Sequence, residues 1–178
     1  MNSGATVIRP ENMVLPDASA EAGEASLREG IVEARQWLAA AIQHSPDNGE
    51  LSLALGRLEM SLGNFEAALT AYSSAALLLP GTAAAHSSRA LACKKLGRSN
   101  DAAQAAIRAI ALDPADATAL KVLARIHLDA GQHEAAEQAC GRVLRRDARD
   151  GDAVEMMREV KAQAAKLAEN LYDSLTWS

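Results

Sequence analysis

This sequence predicts an all-α protein, an α-solenoid assembled from antiparallel helix pairs. Three observations lead there. Of its 178 residues 49% are apolar and roughly 40 are alanine, while 3% are aromatic. That is a supply of small helix formers, and it leaves little for a β-sheet. Residue types recur every 34 positions, a period characteristic of helical repeats. Within each period the residues that start and stop helices fall in the same places.

The period is read from parallel series. Pro46, Pro80 and Pro114 are 34 apart, as are Gly63, Gly97 and Gly131, and Ala68, Ala102 and Ala136. Asn48, Thr82, Asp116 and Asp150 form the sharpest series. Each is a residue type whose side-chain oxygen can accept a bond from an unpaired amide in the first helical turn, so each predicts a helix start. The glycines come 15 residues after the first three caps, where a helix of about 13 residues must turn and glycine tolerates the left-handed conformation. The prolines come 17 residues after the glycines and end the second helix. One period is therefore a pair of antiparallel helices with short connections.

On these residues the chain resembles the tetratricopeptide repeat family. The unit Gly49 to Thr82 supplies the family pattern at Leu55, Gly56, Ala68, Tyr72, Ala75 and Pro80, with Ser52 at the tryptophan position. The unit Ala83 to Asp116 keeps Ala90, Ala102, Ala109 and Pro114 but has Arg89 at a large apolar position and Ala106 at the aromatic. The unit Ala117 to Asp150 keeps Leu120, Leu123, Ala124, Ala136 and Val143, with Cys140 for the aromatic and Ala148 for the proline. The resemblance implies a right-handed solenoid of three full repeats, residues 49–82, 83–116 and 117–150.

Single repeats cannot bury their apolar faces, so atypical helices should close both ends. Residues 18–48 are expected to form a degenerate N-terminal helix pair, with Ile31 to Gln43 as its second helix and Ala34, Leu38, Ala41 and Pro46 in phase. Residues 151–178 are expected to form a capping helix, with Ala153, Val154, Met157 and Val160 on its apolar stripe and Asp152, Glu155, Arg158 and Glu159 facing water. Residues 1–17, with Pro10 and Pro16 and little periodicity, read as a disordered arm.

Several function classes find no support in the sequence. A net charge of −5 and five aromatic rings argue against a basic nucleic-acid or membrane-surface binder. No signal peptide or long apolar span is visible, so the expected location is cytoplasmic. Cys93 and Cys140 read as reduced, small buried hydrophobes. There is no G-x-G-x-x-G, P-loop, G-x-S-x-G or C-x-x-C. His133-Glu134-Ala135-Ala136-Glu137 has glutamate where a zinc-binding H-E-x-x-H requires its second histidine. The run Arg142, Arg145, Arg146 and Arg149 reads as a solvated helix end favourably placed against the helix dipole. The expectation is a protein that is not an enzyme and carries no metal or cofactor.

The resemblance implies function through a concave groove lined by the first helix of each repeat. Carried onto this sequence, the groove residues are Glu50, Leu53, Arg57, Met60, Ala84, Ser87, Ser88, Leu91, Lys94, Lys95, Thr118, Lys121, Val122, Arg125 and Leu128. Five of these are cations and one is an anion. The expected partner is thus an acidic or amphipathic protein segment on a basic floor. The family's chaperone-tail clamp maps to Leu53, Arg57, Ser88, Thr118 and Val122, and only Arg57 suits it. A secretion-type chaperone, and a regulatory or substrate-presenting domain of a larger enzyme, are the alternative readings. After Lys166 the row Leu167, Leu171, Tyr172, Leu175 and Trp177 is too apolar for a solvated tail. It predicts weak self-association, with Glu169 and Asp173 meeting the groove of a neighbouring copy.

Overall fold

The computed structural model describes residues 18–176, with side chains placed over residues 29–170 and at Tyr172. The expected arm, residues 1–17, and Trp177 lie outside the described residues, as do the side chains of Leu171 and Leu175. Eight helices are present among the described residues: α1 Ala18–His44, α2 Gly49–Ser61, α3 Phe65–Leu78, α4 Ala83–Lys95, α5 Ser99–Leu112, α6 Ala117–Asp129, α7 His133–Arg146 and α8 Gly151–Thr176. None is long and apolar enough to cross a membrane.

The chain falls into two units, one ending at Trp37 and one beginning at Leu38. The first contributes most of α1. A pair of helices was expected over 18–48, whereas α1 is one continuous helix of 27 residues. The reason lies in its composition. No proline interrupts it, and its two glycines, Gly23 and Gly30, each cost only about 1 kcal/mol in a helix interior, too little to end a helix rich in alanine and glutamate.

In the second unit α2, α4, α6 and α8 each begin one residue after the expected cap. Asn48 Oδ1 accepts from the Glu50 amide at 3.1 Å, Asp116 Oδ1 from Ala119 at 2.8 Å and Asp150 Oδ1 from Ala153 at 2.9 Å. Thr82 makes no such bond, so α4 starts at the expected place without side-chain capping. Gly63, Gly97 and Gly131 take φ of 76°, 73° and 71°, the left-handed turn that lets α2, α4 and α6 stop after 13 residues each.

Packing is sequential. Helices α2 and α3, α4 and α5, and α6 and α7 form the pairs, and α3 to α4, α5 to α6 and α7 to α8 join them. The first helices of successive pairs also touch, α4 with α6 and α6 with α8. That row positions the site. The core is largely alanine: Ala68, Ala75, Ala90, Ala102, Ala105, Ala106, Ala109 and Ala136 are fully buried, so the helices approach closely. At Gly56 a Cβ would stand 2.5 Å from the Tyr72 ring, and the ring is itself buried. Burial pushes the Tyr72 hydroxyl pKa up.

The cap of the third repeat uses a slightly rotated stripe of α8. Ala153, Met156 and Val160 are buried, Met157 is half-buried, and Val154 is exposed. Met156, unread from the sequence, packs with Ala124, Ala139 and Cys140. Cys93 and Cys140 are both buried, and desolvation raises their thiol pKa values. The arginine run does more than face solvent. Arg142 donates to the Pro114 carbonyl at 2.6 Å and Arg146 to that of Ala115 at 3.1 Å. These bonds tie α7 to the loop between α5 and α6.

Candidate functional site: the groove of α4, α6 and α8

The three helices that touch in a row enclose an open cavity of about 530 Å³. Of the expected residues, Leu91, Lys94, Lys95, Thr118, Lys121, Val122 and Arg125 line it. They share one face because α4 and α6 are successive first helices in a 34-residue register. The cavity also takes in Asp152, Glu155 and Met156 of α8, which were expected to face water or were not singled out.

Leu53, Arg57, Met60, Ser87, Ser88 and Leu128 do not line this cavity. Leu53 and Leu128 are core residues, the first with Ala68 and Tyr72, the second with Ala136 and Val160. Ser87 is buried, its hydroxyl directed to the Ala84 carbonyl at 3.4 Å. Arg57 is exposed, and Met60 and Ser88 are half-buried. Val122 lines the cavity while being only 3% exposed, so it supplies a floor more than a rim.

Most cations of the expected basic floor have counter-ions. Lys94 Nζ lies 2.6 Å from Asp129, and Arg125 Nη1 lies 2.7 Å from Glu159. Lys121 Nζ bridges Asp150 at 3.0 Å and Asp152 at 2.9 Å. Of the cations lining the cavity, Lys95 alone makes no ion pair among the described residues, and Glu155 is likewise unpaired. The groove therefore carries charges of both signs around an apolar floor of Leu91, Val122 and Met156. A signal for this exists in the sequence: Arg125 and Glu159 are one period apart, and Lys94 and Asp129 one period plus one residue. Residues separated by a period sit on neighbouring helices, so acids on the next helix must be counted with the cations on this one.

Asp150 is the hub of the pairing. It accepts the Ala153 amide as the cap of α8 and also accepts from Lys121. The Ala153 bond, with support from Lys121, holds its carboxyl below the usual carboxylate range against the opposing effect of desolvation. Burial works against the charge on Lys121, but the hydrogen bonds it donates to Asp152 and Asp150 outweigh that and hold its pKa above the ordinary lysine value.

The sequence matches the tetratricopeptide repeat family over residues 31–92 and 95–164, about three quarters of the chain, and the protein belongs to that family. Members of this family act in protein–protein interactions and are generally non-catalytic. No curated protein matches the chain. Solved structures resemble it in fold. A tetratricopeptide repeat protein from Parabacteroides merdae is 21% identical with a TM-score of 0.68, over 84% of this chain and 60% of that one. The present chain therefore spans about 60% of the length of that relative. MamA is 20% identical with a TM-score of 0.62, over 82% of this chain and 95% of its own. The first repeat domain of Spaghetti (RPAP3), solved bound to an HSP90 peptide, is 19% identical with a TM-score of 0.62, over 66% of this chain and 93% of that one.

Proposed function

We propose that the protein is a non-catalytic adaptor or scaffold that holds an amphipathic segment of a protein partner in the groove of α4, α6 and α8. The observation that carries this reading is the cavity itself: an open concave space floored by Leu91, Val122 and Met156 and rimmed by charges of both signs. An amphipathic segment buries its apolar positions on such a floor and places mixed polar residues at the rim. A purely acidic segment gains less here, because Lys94, Lys121 and Arg125 already hold carboxylates and each would have to exchange one partner for another.

A chaperone-tail ligand is not favoured. Spaghetti is solved with an HSP90 peptide, but at 19% identity the likeness supports the fold alone. In this chain the clamp positions Leu53 and Val122 are buried apolar side chains, which offer a carboxylate no donor.

Panning a randomised peptide library on the protein tests the proposal. The enriched peptides should share apolar residues at helical or alternating spacing. Thr118 is half-buried in the cavity lining, and Thr118→Arg fills that space, so it should weaken their binding at least tenfold while leaving the melting temperature close to that of the parent. Undiminished binding to a folded Thr118→Arg variant would place the site elsewhere.

A further inference from the structure

The apolar row that seats α8 on the third repeat does not stop where the repeat stops. Ala153, Met156 and Val160 are buried in clusters with residues of α6 and α7. Advancing by four and then three residues, the same helix face reaches Ala164 and Leu167, and the sequence carries it on to Leu171 and Leu175. Yet residues 161–170 are exposed throughout, Leu167 by 52% and, further on, Tyr172 by 70%. At 26 residues α8 is twice as long as α2, α4 or α6. Its second half thus carries an apolar row that no described residue covers. A helical stretch of this length owes most of its stability in water to burial of such a face.

We infer that this row is covered by the same row of a second copy of the chain, the two α8 extensions running antiparallel about a two-fold axis between Leu167 and Ala168. Two features of the stretch suit that arrangement. Ala164, on the row itself, is a small residue, which lets two helices approach closely there. The charges of the stretch sum to zero, with Lys161 and Lys166 toward its start and Glu169 and Asp173 toward its end. Only the antiparallel orientation brings opposite ends together. A closed two-fold contact of this kind uses up the row in both copies.

This arrangement differs from docking of the tail into a neighbour's groove. There Glu169 and Asp173 would meet Lys94, Lys121 and Arg125, which already have carboxylate partners. In the antiparallel pair the groove stays open.

Sedimentation of the full chain over a range of concentrations reads the result. The parent should pass from monomer to dimer as concentration rises, and Leu167→Asp should dissociate at least tenfold more readily. Its helical circular dichroism and melting temperature should match those of the monomeric parent, because the substitution lies beyond the repeats. A parent that stays monomeric throughout, or a Leu167→Asp variant that dimerises equally well, would overturn the inference. Orientation is read from single introduced cysteines under mild oxidation, the native Cys93 and Cys140 being buried. Ala168→Cys should link two copies, since the position nearly meets its own mate across the axis. Ala164→Cys should not, because its mate is displaced by about 10 Å along the helix. Linking at both positions or at neither would contradict the antiparallel pair.

Discussion

Replacing Ala68 or Ala102 by leucine is expected to destabilise the protein by roughly 1–3 kcal/mol, the usual cost of forcing extra methylenes into a filled core. Both alanines are fully buried. Ala68 sits with Leu53, Tyr72 and Ala75, and Ala102 with Cys93, Ala105 and Val122. Neither site can expand without moving a helix, because the same repeat position sets the approach of two helices in each unit. For a domain of this size the cost corresponds to a fall in Tm of several degrees, at about 2–4 °C per kcal/mol. Gly141→Ala supplies the contrast. A Cβ there would meet only the Arg145 guanidinium, at 3.6 Å, so the gain in helix propensity, about 0.5–1 kcal/mol, should prevail and raise Tm. Equal Tm values for Ala102→Leu and the parent would show that the helix crossings are not where the fold places them.

The second large effect is expected at Asp150, which both caps α8 and holds Lys121. Asp150→Ala removes both bonds and should cost about 1–2 kcal/mol, chiefly the loss of the cap. The effect has a pH signature whose sign follows from the lowered pKa. A carboxyl with a folded pKa below its unfolded one contributes stability that is fully present above the unfolded value, about 4. That contribution is lost as pH falls through the folded value. The advantage of the parent over Asp150→Ala should therefore be constant from pH 5 to 7 and shrink on acidification below about pH 4. Lys121 acts at the other extreme. Its raised pKa means that its contribution is present below the ordinary lysine value and is lost in strong alkali. Urea unfolding of both proteins from pH 2.5 to 7 checks the acid limb, and a difference independent of pH would exclude the charged form of Asp150 as the source.

Helix boundaries were legible because the punctuation is local. Asn48, Asp116 and Asp150 act on amides two or three residues ahead, and Gly63, Gly97 and Gly131 act on their own φ. Such signals require no knowledge of what lies across the fold. Where the signal is absent the sequence misleads, as in α1: the repeat phase suggests two helices, but no breaker divides them. The groove was legible in its membership and not in its charge. Lys94, Lys121 and Arg125 are visible as one face, but what neutralises them stands on later elements, and counting one face at a time leaves it out. Ala153, Met157 and Val160 are legible as one stripe of α8, yet Met156 is more deeply buried than its neighbour Met157, because a small rotation of a helix decides which of two adjacent side chains packs. Only packing against Ala124, Ala139 and Cys140 fixes that rotation.

The most direct test of the groove is methyl chemical-shift mapping with a peptide selected by panning. Titration should move the methyl resonances of Leu91, Val122 and Met156 together, with a common saturation curve, and leave those of Leu77 and Ile107, exposed on α3 and α5, in place. Movement confined to Leu77 and Ile107, with Leu91, Val122 and Met156 unmoved, would contradict the account.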